Sequence, residues 1–271
     1  MSGSPNVTLP SLIGVIHLPP LPASPRFAGD LGAVLASAAA DARLLAEAGF
    51  EGIVVENFGD APFEPGRVSP VTVAAMTAAA LAVRAAAPGV ALGINVLRND
   101  AEAALAIAVA SDARFIRVNV HTGARVTDQG LIEGRAHETL RLRRALGAER
   151  VALFCDVDVK HSAPLAARPL GEEAHDLALR GLADAVLVTG SGTGRGVDRR
   201  DLDEVTRALH GAVPVLCASG VTLETLRDLG EAGAIVGSCL RASGRAGDPV
   251  DPTLARRFVE AFHARRAASR A

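Results

Sequence analysis

The stretch Val151-Ala152-Leu153-Phe154-Cys155-Asp156-Val157-Asp158-Val159-Lys160 opens as an apolar strand and closes in alternating charge. Its first five residues have the composition of a strand covered on both faces. From Cys155 onward a two-residue period divides it, with Cys155, Val157 and Val159 on one face and Asp156, Asp158 and Lys160 on the other. The apolar face must meet a packed layer, so the charged face looks inward, where charge is costly unless paired. Polar residues gathered at the C-terminal end of a strand are the pattern of an α/β barrel, whose chemistry sits at that end.

Outward from this strand, runs of the same kind recur at 12–17, 52–57, 91–96, 114–120, 185–190, 213–218 and 234–237. Ala- and Leu-rich helical stretches follow the eight runs near 31–48, 70–87, 100–111, 134–147, 170–182, 199–210, 221–230 and 252–265, and Ser69-Pro70, Asn99-Asp100 and Asp251-Pro252 read as helix starts. Eight βα units in 271 residues match the roughly 250 residues of a one-domain barrel and leave no second domain over. The expected fold is a (β/α)8 TIM barrel, a single domain over residues 1–271 with short flexible ends at about 1–10 and 266–271. An open doubly wound sheet is the rival architecture.

Almost half the residues are hydrophobic, yet no run of about 18 apolar residues exists and no basic, cleavable leader opens the chain. A cytoplasmic protein is expected, with no integral membrane segment. A net charge of −2, no Trp, no Tyr and only eight Phe leave neither a long-range field nor a stacking platform for nucleic acid, so the expected partner is a small molecule. Barrels of this size often form homo-oligomers, and one is expected here. Cys155, Cys217 and Cys239 form no CxxC or Cys/His cluster and read as buried thiols. Of 28 basic residues only Lys160 is a lysine. Where composition has replaced exchangeable Lys by Arg, the survivor is a candidate for work a guanidinium cannot do, such as proton transfer or imine formation.

The strand before Val151 repeats the pattern, with Ile116, Val118 and Val120 on one face and Arg117, Asn119 and His121 on the other. His17, Glu56, Asn57, Asn95 and Arg98 close other strands, and four of the five Asn, at 57, 95, 99 and 119, lie at or just past strand ends. Asp156, Asp158 and Lys160 read as acids holding a partly desolvated ammonium, with a structural ion pair as the competing account. Glu56 reads as a general base or a divalent-metal ligand, or equally as a counter-ion for Arg117 or Arg98. No cofactor is demanded. A divalent metal such as magnesium is compatible with the mouth, with Glu56 and Asp156 its candidate ligands, whereas the missing HxH and HExxH patterns argue against zinc. His161 is a proton carrier or a solvated loop residue.

The last three loops carry Thr189-Gly190-Ser191-Gly192-Thr193-Gly194, Ser219-Gly220 and Gly237-Ser238. Small residues let backbone N–H groups approach an anion, and the last two loops of a barrel commonly hold phosphate, so Ser191, Gly192, Ser219, Gly220, Gly237 and Ser238 are the expected phosphate-binding set. Neither GxGxxG nor a P-loop lysine is present, which excludes dinucleotide and P-loop NTPase readings.

With these segments in place, the chain resembles the BtpA family, which includes the SgcQ-type proteins. The resemblance rests on Ile13–Pro22, Val55–Phe63, Gly93–Asp100, Arg117–Gly123, Asp156–His161 and Thr189–Gly194 and spans the chain. It implies a ribulose-phosphate-binding type of barrel, tied in photosynthetic members to photosystem I accumulation and in others to sugar operons with a nucleosidase-like label. The expected function is an enzyme acting on a phosphorylated sugar or a ribosyl or nucleoside compound, as a lyase, nucleosidase or isomerase. Acid/base work would fall to Lys160, Asp158, Asp156, Glu56 and His121, with Asn119, Asn95 and Arg117 as anchors. A non-catalytic assembly factor for photosystem I and a Schiff-base aldolase built on Lys160 are the alternatives.

Overall fold

In the computed structural model, which describes residues 8–190 and 196–269, eight parallel strands close on themselves. They are β1 (Leu12–His17), β2 (Gly52–Glu56), β3 (Ala91–Asn95), β4 (Phe115–Val118), β7 (Ala152–Asp158), β9 (Ala185–Thr189), β10 (Val215–Ala218) and β11 (Gly233–Val236), with β11 pairing back onto β1. Among the described residues seven α-helices surround them: α1 (Leu31–Ala48), α2 (Pro70–Ala86), α3 (Ala101–Ser111), α4 (Ala136–Ala145), α5 (Leu170–Leu179), α6 (Arg199–Leu209) and α7 (Pro252–Ser269). The expected starts hold: Ser69 accepts from Thr72 N, Asp100 from Ala103 N, and Asp251 from Thr253 N and Leu254 N. Among the described residues no helix is long and apolar enough to cross a membrane.

The barrel interior is filled by alternate residues. Ile13, Val15, Val54, Phe115, Phe154, Leu187, Leu216 and Ile235 form an inner core, and Leu12, Ile16, Ile53, Ile94, Ile116, Leu153, Cys155 and Val186 pack outward against the helices. Phe115 stacks on Phe154 with ring centroids 4.7 Å apart, in space left by Gly93, where any Cβ would strike the Phe115 ring. This apolar plug fills the barrel beneath the mouth. Each interior row therefore reaches its polar residues only at the C-terminal rim.

Two departures from the expected pattern matter. The segment 221–230 is not an α-helix; only Leu226–Leu229 forms a 3-10 turn. Thr222 and Thr225 exchange hydrogen bonds between hydroxyls and backbone N–H groups, an alternative to helical bonding that Ser and Thr side chains favour. The second departure is a small antiparallel sheet, in the order β6 (Gly130–Glu133), β5 (Ala124–Thr127), β8 (Ser162–Pro164), built from the connections that follow β4 and β7.

Candidate active site

Strand register sets four side chains side by side. His17 pairs with Glu56, Glu56 with Asn95, and Asn95 with Arg117, so the ends of β1 to β4 present one continuous polar row. Asn95 donates to Glu56 Oε2 at 2.6 Å, and Arg117 Nη1 stands 4.0 Å from the same oxygen. Arg117 also grips Asp156 of β7 with two hydrogen bonds, Nε to Oδ2 at 3.1 Å and Nη2 to Oδ1 at 3.0 Å, a planar fork that lysine could not supply. Asn119 Nδ2 donates to Asp156 Oδ2 at 2.6 Å, leaving its own Oδ1 buried without a partner among the described residues. Burial pushes the Glu56 carboxyl up, but His17, Arg117, Lys160 and the Asn95 hydrogen bond outweigh it and hold the group below its ordinary value.

Lys160 joins this row, with Asp156 but without the Asp158 that the alternation implied. A bulge interrupts β7: Asp156 lies opposite Leu187 and Asp158 opposite Val188, two residues of one strand against one step of the other. The two acids part company as a result. The Asp156 side chain is fully buried and spent on Arg117 and Asn119, while Asp158 is about half exposed (49%), 3.4 Å from Arg125 of β5, which also pairs with Glu173 of α5. Burial raises the Asp158 carboxyl, with Asp156 reinforcing this and Arg125 opposing it. Burial lowers the Lys160 amine from its usual value; Glu56 and Asp156 oppose this, and Arg117 and Arg98 reinforce it. Arg98, itself buried, anchors the backbone beneath by donating to the Lys160 carbonyl at 2.7 Å.

His121 does not enter the mouth. Its ring is buried with Nε2 2.8 Å from the Gly181 carbonyl, and its charged neighbours are Arg143 and Asp184. Two of the four strand-end asparagines are structural: Asn57 accepts from Leu97 N and donates to Asp60, and Asn99 pairs with the backbone N–H and C=O of Val120. Among the described residues no group of three or more His, Cys, Asp or Glu side chains is arranged to hold a metal ion. Both oxygens of Asp156 are already taken by Arg117 and Asn119.

One cavity is lined by His17, Glu56, Arg117 and Lys160 on one side and by Ser219, Gly220, Gly237 and Ser238 on the other, with Phe58 at its wall. Ser219 and Gly220 are successive left-handed residues, at φ 83° and 68°, turning the chain sharply after β10. Ser191 and Gly192, expected in the same anion site, lie outside the described residues. Sequence reasoning placed His17 at the mouth, and it passed over Arg241. That guanidinium is wholly buried, donates to the carbonyls of Val15, Gly237 and Asp248, and pairs with Asp41 at 3.5 Å. It thus fastens β1 to the loop after β11. The only sequence signal for it was an Arg three residues beyond Gly237-Ser238.

Residues 8–264 match the family model described as "BtpA family". The chain belongs to the BtpA family. It is 47% identical over 255 residues to the photosystem I biogenesis protein BtpA of Synechocystis, covering 93% of this chain and 87% of that one. It is 44% identical to an uncharacterized protein of Thermococcus kodakarensis (92% and 94% covered) and 32% identical to an uncharacterized mitochondrial protein of Caenorhabditis elegans (94% of each). Similar solved structures include phosphoribosyl anthranilate isomerase of Thermus thermophilus, with TM-score 0.55 and 16% identity over 95% of this chain and 98% of that one. Another is 3-keto-L-gulonate-6-phosphate decarboxylase of Vibrio cholerae, with TM-score 0.54 and 12% identity over 96% and 98%. At such identities the likeness is one of fold, a TIM barrel.

Proposed function

We propose that this BtpA-family barrel is an enzyme acting on a phosphorylated sugar or ribosyl compound at the mouth of the barrel. The observation that carries the reading is the single cavity in which the row His17, Glu56, Arg117, Lys160 faces the small-residue loops Ser219-Gly220 and Gly237-Ser238. The loops take the phosphate on backbone N–H groups and the two serine hydroxyls. Glu56, kept ionised, serves as base toward a proton on the reacting sugar carbon or its hydroxyl, and the Lys160 ammonium or Arg117 stabilises the oxyanion that develops. Asp156 and Asn119 hold Arg117 in position. The fold neighbours, two of which are named for phosphoribosyl and sugar-phosphate substrates, fit this class.

An assembly role like that in the name of the Synechocystis relative is the competing reading. Similarity extends to uncharacterized proteins of Thermococcus kodakarensis and Caenorhabditis elegans whose names carry no photosystem role, so the name of one relative does not set the function of the family. A crystal soaked in sulfate is the direct test. Density against Ser219, Gly220, Gly237 and Ser238 is expected, and an anion bound elsewhere alone would overturn the assignment. One observation favours a second chemistry within the same site: burial lowers the Lys160 amine, which brings imine formation within reach. Borohydride reduction with a ketose phosphate leaves an adduct on Lys160 in that case and none if the lysine acts only as a charge.

A further inference from the structure

The three-stranded sheet built from the connections after β4 and β7 turns an apolar row to solvent. Register sets Leu131 of β6 opposite Val126 of β5, and Val126 opposite Ala163 of β8, so one line of side chains crosses all three strands. All three are exposed, Leu131 to 51% and Val126 to 46%. The other face is the covered one: Ile132 packs with Val120 and Val159, and Arg125 is buried. An antiparallel sheet ordinarily keeps its apolar face for the core and shows water the polar one.

The edge of this sheet is open as well. Gly134 N donates to Gly123 O at 2.7 Å, continuing the β5–β6 register in which Ile132 lies opposite Arg125 and Gly130 opposite Thr127. Hydrogen-bonded and non-bonded pairs alternate along an antiparallel ladder, so residues 130, 132 and 134 turn their backbone groups to β5, and Leu131 and Glu133 turn theirs away. The sheet ends at β6, and among the described residues no strand receives them. A cavity of about 390 Å³ borders β6, lined by Leu131, Ile132 and Glu133 and by Leu142 of α4. Edge strands are usually protected by a lysine, a proline or a bulge; Gly130–Glu133 has none of these, and its register with β5 is unbroken.

Free backbone groups call for a strand, and the charges flanking β6 select a second β6. Asp128, in the turn before the strand, and Arg135, just past its other end, are both exposed, although Arg135 also lies 3.5 Å from Glu138 of its own chain. When two β6 strands lie antiparallel with Leu131 opposite the partner's Leu131, Arg135 of each copy falls opposite Thr127 of the other, one residue from Asp128. Opposite charges then meet twice. The same register continues the apolar row unbroken from one sheet into the next. Centring the pair on Ile132 would set each leucine against a carboxylate, and centring it on Glu133 would bring two carboxylates together. We infer that a second copy of this chain docks strand β6 against strand β6 about a two-fold axis at Leu131, joining two three-stranded sheets into one of six strands. This interface is independent of the chemistry at the mouth.

Analytical ultracentrifugation of the full chain over a range of concentrations tests it. The wild type should sediment as an assembly of an even number of copies. Leu131→Lys, a substitution at a half-exposed position that sets an ammonium on the axis, should give particles of half that mass. Arg135→Asp alone should weaken association about fivefold, and Arg135→Asp combined with Asp128→Arg should return it to within about twofold of the wild type. Amide hydrogen exchange of the wild type needs no variant: the Leu131 N–H, directed away from β5, should exchange more slowly as concentration rises, while the Ile132 N–H stays protected throughout. A monomeric wild type, an assembly whose mass survives Leu131→Lys, no recovery in the paired substitution, or a Leu131 N–H that exchanges at one rate at every concentration overturns the interface.

Discussion

The two halves of the barrel mouth are made of different material. The ends of β1 to β4 and of β7 offer side chains locked to one another, Glu56 to Asn95, Arg117 to Asp156, Asn119 to Asp156. The loops after β10 and β11 offer backbone, with only Ser219 and Ser238 hydroxyls on a turn of small residues. An interlocked charged half resists change at any member, because a buried ion stripped of its partner keeps its desolvation cost. A backbone half tolerates the loss of a hydroxyl and resists only the gain of volume.

The largest test of this contrast is Asp156→Ala, which strands Arg117 in the interior and should cost about 3–5 kcal/mol in chemical denaturation. Asp158→Ala, removing a half-exposed partner of Arg125, should cost less than about 1 kcal/mol. Equal losses would erase the distinction the β7 bulge draws between them. Next in size is Gly237→Ala, whose methyl must push the His17 ring aside, at about 1–3 kcal/mol in the same measurement, together with loss of phosphate binding. If it is as stable as the wild type, the loop is less tightly packed than described.

A subtler effect appears with pH. Unfolded, His17 titrates near 6.5 and in the fold near 4, so between these values the unfolded chain holds the extra proton. Its contribution is complete above about pH 6.5 and is lost as pH falls toward 4. The unfolding free energy of His17→Asn, measured across this window, should therefore decline less steeply on acidification than that of the wild type. Identical slopes would mean the ring is not held neutral. The smallest stability effect belongs to Ser219→Ala with Ser238→Ala, expected to be within about 0.5 kcal/mol of the wild type while phosphate affinity falls about tenfold. A loss of stability without loss of affinity would reverse the roles given to the two halves.

The barrel was legible in the sequence because its strands are short β-branched runs and its helices are capped, both local signals. So was the inward face of β4 and early β7, where Arg117, Asn119 and Asp156 follow the two-residue period and point inward as expected. The period failed at Val157, since a bulge is written in the pairing of two strands and Val fits a bulged or a regular strand alike. It failed again at His121, which the chain carries out of the strand as it turns toward β5. The helix expected over 221–230 does not form, because Thr222 and Thr225 satisfy the backbone with their own hydroxyls. Arg241 escaped notice since nothing local distinguishes a guanidinium bound to three carbonyls from a surface one.

Lys160 is the sole lysine of the chain, and it lines the cavity at the mouth. Chemically, that makes this protein a vessel with one addressable side-chain amine. A reagent selective for amines can mark only the mouth and the chain's own amino terminus, so no mutagenesis is needed to place a reporter there. The rate at which such a reagent consumes Lys160 then measures occupancy of the cavity, for any compound and without knowledge of the reaction it undergoes.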